Sequence, residues 1–113
     1  MVAIYRSTVF KPLIWLAMVG AGPLTEEFIF RGFLFRGWKE SRLGAEGTII
    51  LTALLWALIH LQYDLYGMAT IFVLGIFLGL ARLHTGSLWC CTILHAVMNL
   101  IAAIEVEFFT TAT

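Results

Sequence analysis

Long apolar runs, broken by short polar islands, organise the chain. The first run goes from Pro12 to Gly22, behind Arg6 and Lys11. Glu26, Glu27 and Arg31 then form a charged island inside an otherwise apolar stretch that ends near Phe35. A polar connector from Arg36 to Gly47 carries Arg36, Lys39, Glu40, Arg42 and Glu46. Three more runs follow, Thr48–Leu61, Leu65–Ala81 and Ser87–Ile104, separated by Gln62-Tyr63-Asp64 and by Arg82-Leu83-His84-Thr85-Gly86. Crossing the hydrocarbon core takes about 20 residues of helix, with a range of about 17–25. The last two runs reach that length, and the second reaches it if its helix starts within Gly44–Gly47. The region from Pro12 to Phe35 is long enough if its centre tolerates charge. Gly20, Gly22 and Pro23 suggest a break there, since Pro suits a first helical turn. The pattern therefore predicts a helix over 5–22 and further helices over 24–41, 45–62, 65–84 and 87–108. No two-residue alternation marks a strand, and an open sheet edge is untenable in lipid. The expected fold class is all-α: a polytopic transmembrane helical bundle of four to five segments, forming one membrane-embedded domain over residues 1–113.

Composition sharpens the picture. Hydrophobic residues make up 61% of the chain and charged residues 12%, and the mean hydropathy is +0.95. Soluble domains average about 45–50% and about 25%. A chain this small needs a mostly polar surface to stay in water, because it leaves about a third of its unfolded area exposed. An ordinary soluble domain is excluded, and the low charge with 14% aromatics excludes disorder. Net charge is zero with no basic cluster, so membrane lipid is the expected surrounding partner and nucleic acid is not one. The expected location is the cell membrane, as a multi-pass protein. Connectors 36–47 and 82–87 carry more Lys and Arg than the opposite side, which points them to the cytoplasm. The first apolar run continues into a second membrane-length segment, favouring an uncleaved span over a signal peptide. Adjacent Cys90 and Cys91 are too close to bridge each other and read as apolar fillers.

Ionisable groups inside membrane helices cost at least about 2.5–3.5 kcal/mol each and are functional candidates by default. Glu27 and Arg31 are i,i+4 neighbours and can pair, while Glu26 is rotated about 100° away, toward an interior cavity. A plain alternative places both glutamates in the first turn of a helix started by Pro23, although that leaves Arg31 unexplained. Thr48, Thr52, Trp56 and His60 recur every four residues as a semi-polar stripe, so His60 either projects into the same cavity or rests at the interface. His95 and Asn99 share one helix face and need hydrogen-bond partners, catalytic or merely interhelical. His84 sits in a polar break, outside any site. Gly75 and Gly79 form a GxxxG, read here as close packing of a structural helix. One carboxylate with a histidine can activate water, and a second histidine with an amide can donate to an oxyanion. No HExxH or GxSxG is present.

These residues fall into three motifs in order: Glu26-Glu27-Phe28-Ile29-Phe30-Arg31 as EExxxR, Trp56-Ala57-Leu58-Ile59-His60 as aromatic-x-x-x-His, and His95-Ala96-Val97-Met98-Asn99 as HxxxN, preceded by Thr85-Gly86-Ser87-Leu88-Trp89. The set resembles the CAAX-protease and bacteriocin-processing family of intramembrane proteases, related to the type II CAAX prenyl endopeptidase. The resemblance covers about residues 12–105. It implies an endopeptidase acting on a membrane-associated peptide or protein, a prenylated or bacteriocin-like one among those the family admits. Glu26 would be the base that activates water, assisted by His60. His95 and Asn99 would form the oxyanion hole, with Glu27 and Arg31 in support. The family has been described both as metalloproteases and as metal-independent glutamate proteases. Glu26, His60 and His95 offer a zinc set in the first version, but the metal-free version is favoured and no cofactor is expected. Trp56 stands where Phe is more usual. Relatives carry additional flanking helices, so the chain corresponds to the motif-bearing core. The rival expectation is a non-enzymatic immunity or peptide-binding module using the same polar cavity.

Overall fold

The computed structural model describes residues 11–112, with side chains to residue 109; the part of the expected first helix over 5–10 lies outside the described residues. Four helices account for nearly all of it: α1, Lys11–Lys39; α2, Gly44–Leu58; α3, Leu65–Thr85; and α4, Leu88–Ala112. No strand occurs among the described residues, so the expected all-α bundle is the observed fold. Helices α1, α3 and α4 are long and apolar enough to cross a membrane. Helix α2 has 15 residues, about 22 Å at about 1.5 Å per residue, short of a hydrocarbon core of about 30 Å.

The expected break at Gly22-Pro23 does not occur. Helix α1 runs through it and instead widens into two π-helical stretches, Ala17–Ala21 and Phe28–Leu34. At the first, the Gly22 N–H bonds to the Ala17 carbonyl five residues back. A local π adjustment of this kind lets a membrane helix carry a proline without ending. Helix α2 stops at Leu58, earlier than the expected 62. His60 Nδ1 lies 2.6 Å from the Trp56 carbonyl and its own N–H turns to Ala57, so the side chain takes the acceptor that a continuing helix would use. The start of α3 follows expectation: Asp64 is its N-cap, its Oδ1 accepting from the Gly67 N–H at 2.8 Å. Gly86, in the left-handed region at φ 65°, ends α3, and the Ser87 hydroxyl accepts from the Cys90 N–H to begin α4.

Helices α2 and α3 pack most closely. A Cβ on Gly75 would meet the Ala53 Cβ at 2.9 Å and its Cα at 3.0 Å, and one on Gly79 would meet Ile49. The GxxxG is thus an intrachain packing face, as expected. The N-terminal half of α1 lies along α4 and its C-terminal half along α2. Phe30, Trp56 and Leu78 form the buried centre, with Leu74, Leu94 and Met98 against it. Outside, Phe33, Val73, Phe77, Trp89 and Ile93 face outward, as a lipid-facing surface should.

Candidate active site

Helix α1 supplies the charged island at mid-helix. Glu27 and Arg31 are both fully buried and paired, Arg31 Nη1 donating to Glu27 Oε2 at 3.0 Å. Arg31 Nη2 also donates to the Gly75 carbonyl at 3.0 Å, and the guanidinium lies 4.7 Å over the Trp56 ring. The absence of a side chain at Gly75 is what lets Arg31 reach that carbonyl. Arg82 Nε then donates to the Arg31 carbonyl at 3.0 Å, tying the second π stretch to the end of α3. The alternative of a helix start for the glutamates fails, because α1 begins well before them.

Glu26, one residue earlier, turns away from the buried pair and keeps a quarter of its side chain exposed. It lines a cavity of about 470 Å³ together with His60, His95, Asn99 and Tyr63. His95 is buried between the two glutamates. Its Nδ1 is 2.8 Å from Glu27 Oε2 and its Nε2 is 3.4 Å from Glu26 Oε2. His60 Nε2 is 3.6 Å from Glu26 Oε1. The Trp56 ring meets both imidazoles edge-on, at 5.4 Å from His60 and 5.1 Å from His95. One tryptophan therefore fixes Arg31, His60 and His95 together.

Donors and acceptors follow from chemistry. A backbone carbonyl only accepts, so His60 Nδ1 carries a proton toward Trp56, and its Nε2 faces the Glu26 side of the cavity. His95 Nδ1–H donates to the Glu27 carboxylate. The other ring nitrogen, Nε2, faces Glu26 Oε2, so the imidazole lies between the two carboxyl groups. Glu27 Oε1 and Trp56 Nε1 are buried without a hydrogen-bond partner among the described residues.

Asn99, four residues along from His95, reaches the cavity but also donates from Nδ2 to the Met18 carbonyl at 2.6 Å. All six residues expected at the site, Glu26, Glu27, Arg31, His60, His95 and Asn99, lie at or directly behind one cavity. His84 is exposed at the end of α3 and lines no part of it. Tyr63, treated as turn by the sequence pattern, is the addition. Its ring lies 6.2 Å from His60, and burial together with the Glu26 charge pushes its phenol above the ordinary value. Its position three residues after His60 was the available signal. Among the described residues no group of three or more His, Cys, Asp and Glu side chains is arranged to hold a metal ion.

A protein-family model, Rce1-like, described as type II CAAX prenyl endopeptidase Rce1-like, matches residues 8–101. No curated protein and no solved structure matches the chain. The match takes in most of the chain, which belongs to this family of intramembrane CAAX proteases.

Proposed function

We propose that this member of the Rce1-like family hydrolyses a peptide bond of a membrane-associated substrate through water activated by Glu26 and His60. The observation that carries the reading is the convergence of Glu26, His60 and His95 within 3.6 Å contacts on one cavity. A water lying beside this 3.6 Å contact, on the cavity side, can donate one hydrogen to the carboxylate and the other to the imidazole nitrogen. Glu26 takes one proton as the water oxygen attacks the scissile carbonyl carbon. The oxyanion that forms is met by the His95 Nε2–H, held by Glu27, and by the Asn99 N–H that Met18 leaves free. Collapse breaks the C–N bond, and the Glu26 carboxyl returns its proton to the leaving amine. No acyl-enzyme forms, and no step is assigned to a metal. Arg31 holds Glu27 in place by its 3.0 Å contact, so both act through His95.

The partly apolar cavity wall, with Ile71, Leu74 and Met98 beside the polar cluster, suits a substrate with an apolar chain next to its scissile bond, a prenylated peptide being the natural first probe. The test is cleavage of an internally quenched prenylated CaaX peptide by the full chain in lipid nanodiscs. Glu26→Gln should abolish cleavage while helicity and thermal midpoint stay unchanged. Retained cleavage by Glu26→Gln would overturn the assignment of the base. Peptide binding without cleavage by the wild type would favour a non-enzymatic module.

A further inference from the structure

Pro23 lies in the interior of α1 and is buried, three residues before Glu26. A proline there has no N–H to give. In the π register that precedes it, the Gly22 N–H takes the Ala17 carbonyl, and the next bond in the series would run from residue 23 to the Met18 carbonyl. That bond cannot form. Asn99 Nδ2 donates to Met18 instead, at 2.6 Å, from the opposite helix. Gly22 is part of the same device, because a Cβ there would sit 2.8 Å from the Ala17 oxygen and force the π turn open. We infer that Pro23 is a positioning residue: by withholding an N–H from Met18 it creates the acceptor that docks the Asn99 amide and aims its second N–H into the cavity.

The orientation of that amide follows from the contact. Met18 offers an oxygen that only accepts, so the nitrogen of Asn99 must face it. The other N–H and Oδ1 are left for the cavity that Asn99 lines. The anchor also explains why α1 stays joined to α4 next to the glutamates. A buried carbonyl freed by proline would otherwise lack a partner in a region without bulk water. The catalytic half of the inference rests on the protease reading; the anchor itself does not.

The chain makes both halves measurable. Asn99 is its sole asparagine, so selective 15N-asparagine labelling gives a single side-chain amide in the NMR spectrum. In the wild type one of its two protons should be shifted downfield and exchange slowly. Pro23→Ala restores an N–H that competes for Met18, and should return that proton toward the position of a free amide. In the same preparation, kcat on the prenylated CaaX probe should fall about 10–100-fold with KM nearly unchanged, the scale of a misplaced but present catalytic group. An amide signal untouched by Pro23→Ala would overturn the anchor. A released amide with unchanged kcat would overturn its positioning role. If the wild type cleaves nothing, the protease reading fails, and the anchor stands or falls on the NMR signal alone. Should Pro23→Ala not fold, Asn99→Asp decides. It sets an acceptor against the Met18 carbonyl and should lower the thermal midpoint more than Asn99→Ala does; equal effects would overturn the anchor.

Discussion

Removal of Arg31 tests the logic of the buried cluster without reference to catalysis. Arg31→Met keeps most of the side-chain volume but removes the charge. It leaves Glu27, fully buried, with His95 as its remaining partner and with Oε1 already unpaired. It also removes the guanidinium bond to the Gly75 carbonyl and takes the cation from the Trp56 face. Removing one partner of a buried ion pair costs about 3–5 kcal/mol. An ordinary interhelical hydrogen bond in a membrane averages only about 0.6 kcal/mol. The two figures are far enough apart to decide which kind of contact this is. The double variant Glu27→Gln/Arg31→Met removes both charges and should recover most of the loss, to within about 1–2 kcal/mol of the wild type, because the stranded carboxylate rather than the lost pair is the larger part. Equilibrium unfolding of the four species in bicelles measures the cycle. An Arg31→Met effect below about 1 kcal/mol, or two effects that simply add, would refute the account of Glu27 as a buried orienter of His95 held by Arg31.

Other outcomes follow from the same geometry. His60→Ala should cut kcat by about 10²–10⁴, with a smaller loss of stability from its 2.6 Å bond to the Trp56 carbonyl; cleavage kinetics with parallel thermal melts check it. Cleavage should survive a strong chelator such as EDTA or phenanthroline, and loss restored by added zinc would contradict the metal-free reading. Gly75→Leu should destabilise the protein by more than the usual overpacking cost of about 1–3 kcal/mol, because the new side chain meets the Ala53 backbone and the Arg31 guanidinium; unfolding in bicelles reads this. Tyr63 has its phenol raised by burial and by Glu26. Its contribution to stability is therefore complete below about pH 10 and lost as pH climbs through the raised value, a loss that Tyr63→Phe should remove in pH-dependent melts.

Much of this arrangement was legible in the chain because spacing carries it. An i,i+4 step fixes Glu27 beside Arg31, and the four-residue stripe runs through Trp56 on α2 to His60 just past its end. Small residues at Gly75 and Gly79 foretell close packing, and the polar breaks at 62–64 and 82–86 mark the ends of α3, where the structure places an Asp64 cap and a left-handed Gly86. What escaped were the departures from a 3.6-residue period. A proline preceded by glycines reads as a break, yet α1 continues, because π turns and a side chain from α4 satisfy what Pro23 releases. Helix α2 ends early for a related reason, since the imidazole of His60 competes with the helix for the Trp56 carbonyl. Both depend on a side chain claiming a backbone carbonyl, which local propensity does not encode.

The two adjacent glutamates gain their meaning from this same helix. Neighbouring residues on a helix point about 100° apart, so Glu26 and Glu27 cannot serve one contact. They can, however, flank one imidazole. Glu27 takes the Nδ1 side of His95 and is itself neutralised by Arg31, while Glu26 takes the Nε2 side and stays partly open to the cavity. A single glutamate could orient His95 or act on water, but not both, because the first task requires burial and a fixed partner and the second requires access. Exchanging the two environments would disable each. On this reasoning Glu27→Asp, which shortens the orienting carboxylate by about 1.5 Å of chain, should slow cleavage by lowering kcat at constant KM. Glu26→Asp should do the same more severely, since its carboxylate must reach a water and both imidazole nitrogens at once. If Glu27→Asp instead raises KM with kcat unchanged, Glu27 shapes substrate binding, and the division between an orienting and a reacting carboxylate is wrong.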